Sequence, residues 1–312
     1  MSAFDTVHVI GSTIYIFYSI LFAWLSRIPR TPPGTGWWAL ATFCAFGSRL
    51  WFLFVPANAD PLLFEAGYAI LIILEKTLLM VGIHRFFGQE KSLGPFLAFC
   101  ALTLVWVPIS NFISASTLVF GLFFGAFNVV VLFRVAWITF TSRAEGPTQT
   151  LIATAFFSLV LGLHWSTYPF LRFSTGYRVP GFFLGTCLVL LLYLSLLVAL
   201  LLIFQKRLED AEQHALNLAY HDPLTGLKNK RYMNALFDNA LILATRPHQK
   251  VAVCYVDLDH FKPINDSAGH HIGDEVLKEV ASRLIQSTRS TDICSRIGGD
   301  EFVVIATQLE NE

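Results

Sequence analysis

Two short acidic motifs near the end of this chain could bind a metal ion and a phosphate. Asp257-Leu258-Asp259 follows the apolar run Lys250–Val256, and Asp300-Glu301 follows the paired glycines Gly298-Gly299. Carboxylate oxygens are ligands that Mg²⁺ prefers, and glycines let a backbone come close to a bound phosphate. Lys262 and a glycine-containing helix start lie nearby in sequence, which is typical of phosphate sites. The sequence therefore predicts a site for a metal-bound phosphate ester.

The strands that position these motifs follow from local patterns. Lys250–Val256 is apolar and β-branched, which predicts a buried central strand, and alternation along it places Asp257 and Asp259 on one face. The runs Ile293–Ile297 and Phe302–Ala306 flank the paired glycines and predict a tight hairpin, because glycine adopts positive φ without steric cost. Alone, such a hairpin would be an ordinary solvated turn, so the functional interpretation depends on the upstream residues.

Two helices complete the predicted domain. One follows the turn signal Asp222-Pro223 and runs from about Asn229 to Thr245. The other opens within Gly269–Asp274 and carries an apolar stripe on one face. A calcium-loop interpretation of the aspartates after the strand fails, because no glycine stands at position six and no helix enters the loop.

From about Ala219 onward, the chain closely resembles the GGDEF domain of bacterial diguanylate cyclases. Lys230 stands where that family usually has arginine, which is a small departure. The matching motifs follow the family's order and spacing: Asp222-Pro-Leu-Thr-Gly-Leu-Lys-Asn229, Asp257-Leu-Asp-His-Phe-Lys-Pro-Ile-Asn-Asp266, Gly269-His270 with Gly273-Asp274, and Arg296-Ile-Gly-Gly-Asp-Glu-Phe302.

The resemblance implies an α/β domain related to the nucleotide-cyclase and polymerase palm. It implies condensation of two GTP into cyclic di-GMP with release of two pyrophosphates. Each domain would hold one GTP, so the reaction would need a symmetric homodimer. The alternative is a catalytically inactive membrane sensor that binds GTP or cyclic di-GMP. A transporter with a regulatory tail is disfavoured, because no inverted repeat is visible.

Roles come with the resemblance, residue by residue. Mg²⁺ or Mn²⁺ would be bound by Asp257, the Leu258 carbonyl and Asp300. Catalysis would fall on Asp300, Glu301 and Lys262, and substrate binding on Phe261, Asn265, His270, Asp274, Arg296 and Gly299. Arg289 and Asp292 match the family's RxxD product-inhibition motif, through which cyclic di-GMP would act as feedback inhibitor. Each of these residues also has a plainer interpretation, as a solvated turn, a cap or a helix-end arginine.

The family domain normally continues through further helices and strands after the hairpin. The resemblance therefore implies that residues 222–312 are the N-terminal part of a GGDEF domain. We expect either a fragment of a longer protein or a naturally truncated one.

Charge divides the chain into two parts. Residues 1–204 hold 10 Lys and Arg and 6 Asp and Glu, whereas residues 205–312 hold 12 and 16. No basic run appears, which argues against a nucleic-acid-binding face. The charge-poor first part contains apolar segments that approach or exceed the roughly 20 residues needed to cross a bilayer. These predict seven spans near Val7–Ile28, Trp37–Val55, Leu62–Phe86, Leu93–Ile109, Thr117–Phe140, Leu151–Phe170 and Gly181–Phe204.

The loops between these segments predict the orientation. Positive charge marks the cytoplasmic side of a membrane protein. Arg172 and Arg178 oppose the assignment but are outnumbered. We therefore expect a multi-pass protein of the bacterial inner membrane, with its N-terminus outside and residues 222–312 in the cytoplasm. The supporting residues are Arg27 and Arg30, Arg85 and Lys91, Arg143, and Lys206-Arg207.

Two further features bear on signalling. Charged residues within spans usually face the bundle interior, and Glu75, Lys76 and His164 are candidates for a ligand pocket or for structural pairing. Residues 205–221 form a helical linker between the membrane domain, 1–204, and the GGDEF segment. Apolar residues from the end of the seventh segment into this linker have coiled-coil spacing, which fits either a dimer or a plain amphipathic helix. They are Leu201, Phe204, Leu208, Ala211, Ala215 and Leu218.

Overall fold

A computed structural model shows the protein as two compact units, Met1–Gln205 and Lys206–Glu312. The structure describes residues 3–55, 61–113, 117–171, 174–244 and 250–309.

The first unit is helical. Pro108 lies inside the fourth helix, which continues beyond the predicted end of the fourth segment at Ile109 to Phe112. The seven long helices are α1 Ala3–Leu25, α2 Thr35–Phe54, α3 Pro61–Phe86, α4 Gly94–Phe112, α5 Thr117–Thr141, α6 Thr148–Leu171 and α7 Thr175–Tyr220.

Six of these helices are long and apolar enough to cross a membrane. The exception is α2, which coincides with the second predicted segment but contains several polar residues, among them the buried Arg49. The predicted count of seven spans is therefore not confirmed and stays a prediction. The six spans are Asp5–Leu25, Phe64–Phe86, Glu90–Ser110, Leu118–Ala144, Thr148–Leu171 and Val179–Tyr220.

Aromatic residues dominate the core of this unit. Phe22, Trp38 and Tyr193 are fully buried and stack edge to face around one point where α1, α2 and α7 meet. Large apolar side chains such as Phe17 and Trp24 are exposed on the outside instead. An apolar exterior around a packed interior is what a lipid environment requires.

The second unit is an α/β fold. Its four-stranded sheet has the order β1-β3-β4-β2, with β3–β4 and β4–β2 antiparallel and β1–β3 parallel. The two predicted helices and the hairpin lie close to where the sequence placed them, whereas the short helix Phe261–Ala268 was not predicted. The elements are β1 Lys228–Asn229, α8 Lys230–Leu243, β2 Lys250–Asp257, α9 Phe261–Ala268, α10 His270–Ser287, β3 Ile293–Gly298 and β4 Glu301–Leu309.

Side chains of β4 alternate between two hydrophobic clusters. Phe302 faces α10 and packs with Leu277 and Ala281. Val303 faces the other side and packs with Met233 of α8. The sheet therefore has α8 on one face and α9 and α10 on the other, and both helical layers hold β4 in place.

Strand β2 differs from its prediction as a buried central strand. Within the described residues β2 pairs with β4 alone, so it forms one edge of the sheet. Val253 and Tyr255 are 54% and 56% exposed, and Cys254 is exposed as well. The strand ends at Asp257, so Asp259 lies in the following turn and does not continue the alternation.

Candidate active site

The paired glycines form the tip of the β3–β4 hairpin. Gly298 pairs with Glu301, which leaves Gly299-Asp300 as a two-residue turn. Gly299 has φ 51, and a glycine at the first central position is what a type II′ hairpin turn uses. Asp300 is thereby fixed at the tip and Glu301 opens β4.

Strand pairing places a second carboxylate beside the hairpin. Asp257 and Glu301 are direct partners across β2 and β4. Directly opposed residues have Cβ atoms about 5 Å apart and point to the same face. The structure thus places Asp257 and Glu301 opposite each other at one end of the sheet, next to the hairpin tip that carries Asp300.

Tyr255 joins this group, which sequence analysis missed. The interaction of its hydroxyl with the Glu301 carboxylate raises the pKa of Tyr255, and the charges of Glu301 and Asp257 add to the increase. The sequence could have indicated Tyr255, because it lies two residues before Asp257 on the same strand and such residues share a face. Tyr255 therefore lies where it can orient the Glu301 carboxylate.

Arg296 is engaged by the protein itself. Its Nε and Nη2 donate to the carbonyl of Gly299 at 2.9 and 2.6 Å, and its Nη1 donates to Asp222 Oδ1 at 3.0 Å. The backbone amide and hydroxyl of Thr225 donate to the same carboxylate oxygen. Arg296 thus fastens the hairpin tip to the Asp222 turn, and its role in substrate binding stays a prediction.

The pKa of Asp222 reflects these contacts. Partial burial raises the pKa, but the hydrogen bonds from Thr225 and Arg296 together with the charge of Arg296 outweigh it. The net result is a pKa below the ordinary value of 3.8. Asp222 is therefore ionised at neutral pH and holds the arginine.

Helix α9 begins four residues after Asp257. The Leu258 carbonyl accepts a 3.3 Å hydrogen bond from the Phe261 amide and keeps a second lone pair. Phe261 is half-buried and packs on the cluster that contains Phe302, so the structure gives it a packing role beside its predicted substrate contact. Lys262 is exposed in the first turn of α9, where it can reach a phosphate.

The junction of α9 and α10 brings the predicted guanine and ribose contacts together. A Cβ on Gly273 would collide with the side-chain oxygen of Asn265 and approach Phe261, so glycine leaves room for the Asn265 side chain as it is placed. Asp274 follows directly, and His270 lies four residues before Asp274, on the same face of α10. Asn265, His270 and Asp274 therefore surround one short junction.

The donor set fits a hard divalent ion bound with a nucleotide. Among the described residues, no group of three or more His, Cys, Asp and Glu side chains is gathered as a metal cluster. Asp257, Asp300 and the Leu258 carbonyl supply three oxygens. Mg²⁺ characteristically uses one or two carboxylates and completes its shell with water and substrate phosphates. These residues are suitable for Mg²⁺ or Mn²⁺ in that mode.

The RxxD residues lie in the turn before β3. Asp292 accepts hydrogen bonds from the amides of Arg289 at 2.9 Å and Thr307 at 3.3 Å, so its carboxylate supports the turn and β4. Arg289 is exposed. Asp292 therefore has a structural use, and inhibition by product at this place stays a prediction.

Comparison with known proteins identifies the second unit. Residues 219–312 match the family model described as diguanylate cyclase, GGDEF domain. These residues are therefore a GGDEF domain, and the expected resemblance is confirmed.

Three relatives show how the similarity is distributed. Response regulator PleD of Caulobacter vibrioides is 50% identical over 92 residues, covering 30% of this chain and 20% of that protein. Probable diguanylate cyclase DgcT of Escherichia coli is 33% identical over 144 residues, covering 46% and 30%. Bifunctional diguanylate cyclase/cyclic di-GMP phosphodiesterase MucR of Pseudomonas aeruginosa is 26% identical over 313 residues, covering 88% and 46%. The chain spans less than half the length of these relatives.

Proposed function

We propose that this protein is a membrane-anchored diguanylate cyclase, which condenses two GTP into cyclic di-GMP and two pyrophosphates. The observation that carries the proposal is the pairing of Asp257 with Glu301 beside Asp300 at the hairpin tip, within a GGDEF domain. Relatives named as diguanylate cyclases support it, and one of them aligns with 88% of this chain, so the similarity extends into the helical unit.

The proposed roles follow from position. Asp257, Asp300 and the Leu258 carbonyl would hold Mg²⁺ or Mn²⁺, which when bound lowers the pKa of an attacking 3′-hydroxyl and stabilises charge on phosphates. Glu301, oriented by Tyr255, would act beside Asp300. Lys262 would donate to a phosphate from the first turn of α9.

Substrate recognition would lie at the α9–α10 junction. There Asn265, His270 and Asp274 would hold guanine and ribose, because amide, imidazole and carboxylate groups together complement both. Gly299 would allow close approach of the phosphates. Arg296 would act indirectly, by fixing the hairpin tip through its bonds to the Gly299 carbonyl.

A homodimer would bring two such sites together, each with one GTP. Helix α7 continues without interruption to Tyr220, and the side chains of residues 205–218 are exposed. Leu208 and Leu218 of the predicted seam are 69% and 57% exposed. Apolar side chains at coiled-coil spacing on a solvated helix favour pairing with a second copy.

The helical unit would anchor the enzyme and control it. We propose seven spans in a bacterial inner membrane, including α2, with the N-terminus outside and the GGDEF domain in the cytoplasm. Feedback by cyclic di-GMP would act through Arg289 and Asp292.

The test is formation of cyclic di-GMP from GTP and Mg²⁺ by membranes that carry residues 1–312. We expect product, and none from Asp300→Ala. Turnover that persists in Asp300→Ala would refute the assigned site. If neither form makes product while both bind GTP, the protein would be a nucleotide-binding sensor instead.

A further inference from the structure

A pocket lies within the helical unit, among α1, α2, α3, α6 and α7. It contains about 700 Å³ of space between atoms, its mouth included. Nucleotide chemistry does not use it. Its wall combines aromatic rings with ionisable groups, among them Tyr15, Arg49, Tyr68, Glu75, Lys76 and Trp165.

Two of the lining charges neutralise each other. Lys76 Nζ lies 2.6 Å from both carboxylate oxygens of Glu75, and both side chains are fully buried. The hydroxyl of Tyr193 donates to the same carboxylate at 3.2 Å. Glu75 and Lys76 therefore form a satisfied ion pair and add no net charge to the pocket.

Arg49 is different. It is only 7% exposed, donates to Thr186 Oγ1 at 2.8 Å, and lies 3.4 Å from His8 Nδ1. Its guanidinium stands 5.8 Å from the ring centroids of Tyr15 and Phe182. In the part of the chain that the structure describes, no carboxylate is within ion-pair distance of Arg49.

The pocket therefore carries one excess positive charge in an apolar setting. Arginine stays protonated in proteins, and a buried charge within a membrane usually has a counter-ion. The hydroxyl, imidazole and aromatic groups around Arg49 reduce the free-energy cost of burying its charge, but none of them is an anion. The missing partner must come from outside the described residues.

We propose that this pocket binds a small organic acid. Its carboxylate would pair with Arg49, whose planar guanidinium matches carboxylates in two-point hydrogen bonding. Its aromatic or aliphatic body would pack against Tyr68, Trp165 and Phe182. The inference names the ligand class for the sensor role proposed above, and its test needs no nucleotide turnover.

The position of the pocket suits an external signal. Arg49 lies near the end of α2 and Tyr68 near the start of α3, whereas the Lys- and Arg-rich loops lie at the other end of these helices. In the proposed orientation the pocket is in the outer half of the membrane. Tyr177 and Gly185 of α7 also line it, and α7 continues to Tyr220 at the GGDEF domain.

Binding can be measured by titration calorimetry on the 312-residue protein in phosphatidylcholine nanodiscs, which carry no net lipid charge. The probes are phenylacetate and hexanoate, each compared with its neutral amide. We expect saturable binding of at least one acid, with its amide about tenfold weaker or more. Absence of saturable binding by both acids, or equal binding of acid and amide, would overturn the proposal.

Variants locate the charge. Arg49→Gln should weaken acid binding about 10- to 100-fold, while Arg49→Lys should keep the preference for acid over amide. Arg134→Gln is the matched control: Arg134 lies in α5, donates to Ser92 at 3.0 Å and does not line the pocket, so it should bind like wild type. Equal loss in both glutamine variants would refute the role of Arg49. If Arg49→Gln does not fold, the acid–amide comparison on wild type still decides.

Discussion

Arg49 and Arg296 are both largely buried, but the two units of the protein use them in opposite ways. Arg296 is neutralised inside the GGDEF domain by Asp222, 3.0 Å away, and by the Gly299 carbonyl. Arg49 has a hydroxyl, an imidazole and aromatic rings around it, and Glu75 and Lys76 of the same pocket are already paired to each other. Arg296 is therefore ion-paired within its own unit, whereas Arg49 has no carboxylate partner among the described residues.

The carboxylates show the reverse pattern. In the helical unit Glu75 is ion-paired with Lys76, whereas in the GGDEF domain Asp257 and Glu301 lie opposite each other beside the hairpin tip that carries Asp300. An unneutralised group of anions selects a metal ion and its phosphate ester, and an unneutralised cation selects an acid. The two proposals therefore assign ligands of opposite charge to the two units.

The largest effect should come from the carboxylate that pairs with Glu301. Asp257→Asn removes a negative charge at the proposed metal position and should lower the rate of cyclic di-GMP formation about 100-fold or more. The measurement is product formed from GTP and Mg²⁺ by the membrane-embedded chain. Asp259→Asn is the control, because Asp259 lies in the turn beyond the strand and should retain most activity. Similar losses in both variants would show that pairing with Glu301 does not select the metal ligand.

Local sequence patterns predicted much of the fold and part of this site. Glycine placement and β-branched runs predicted the hairpin, and the ends of β3 and β4 lie within a few residues of expectation. The proximity of Asp257 and Glu301 was implied only by resemblance, since register between β2 and β4 arises from pairing across more than forty residues. Tyr255 and the Arg296–Asp222 bond depend on that same long-range pairing.

The helical unit shows the same limit. Apolar runs predicted the positions of the seven helices, because each run reports on its own segment. The excess charge at Arg49 could not be predicted, since it depends on which residues of five helices meet and on the pairing of Glu75 with Lys76. The exposure of β2 was mispredicted because an apolar run does not reveal how many strands flank it.

A smaller effect, on stability, should follow from breaking the bond between Arg296 and Asp222 in the GGDEF domain. Arg296→Gln breaks a charge-assisted bond between side chains that are 13% and 19% exposed, and should destabilise the hairpin by about 2 kcal/mol. Amide hydrogen exchange of β3 and β4 in the full chain measures this. Arg283→Gln breaks an exposed bond to Glu279 on α10 and should cost less than about 0.5 kcal/mol. An equal loss of stability in the two variants would mean that the bond between Arg296 and Asp222 does not stabilise the hairpin.

Close packing at the α9–α10 junction gives the next test. Gly273→Ala places a methyl group where the Asn265 side chain lies, and should weaken GTP binding by displacing Asn265, at a cost of about 1 kcal/mol or more. Gly176→Ala is the control, because a Cβ there meets no atom within 4 Å. Fluorescent GTP titration would show the difference. Unchanged affinity in Gly273→Ala would exclude the junction from guanine recognition.

The smallest effect is a pH dependence at Asp222. Its pKa is lowered in the folded state, so its ionisation stabilises the domain above the unfolded pKa near 3.8, and this contribution is lost as pH falls through the folded value. Asn at this position cannot titrate. The stability advantage of wild type over Asp222→Asn, measured by hydrogen exchange of β3, should therefore stay constant from pH 7 to about 5 and shrink below pH 4. An advantage that grows on acidification would mean that Asp222 is not held ionised by Arg296 and Thr225. Arg296 would then not be an example of an arginine neutralised by a carboxylate, and its contrast with Arg49 would fail.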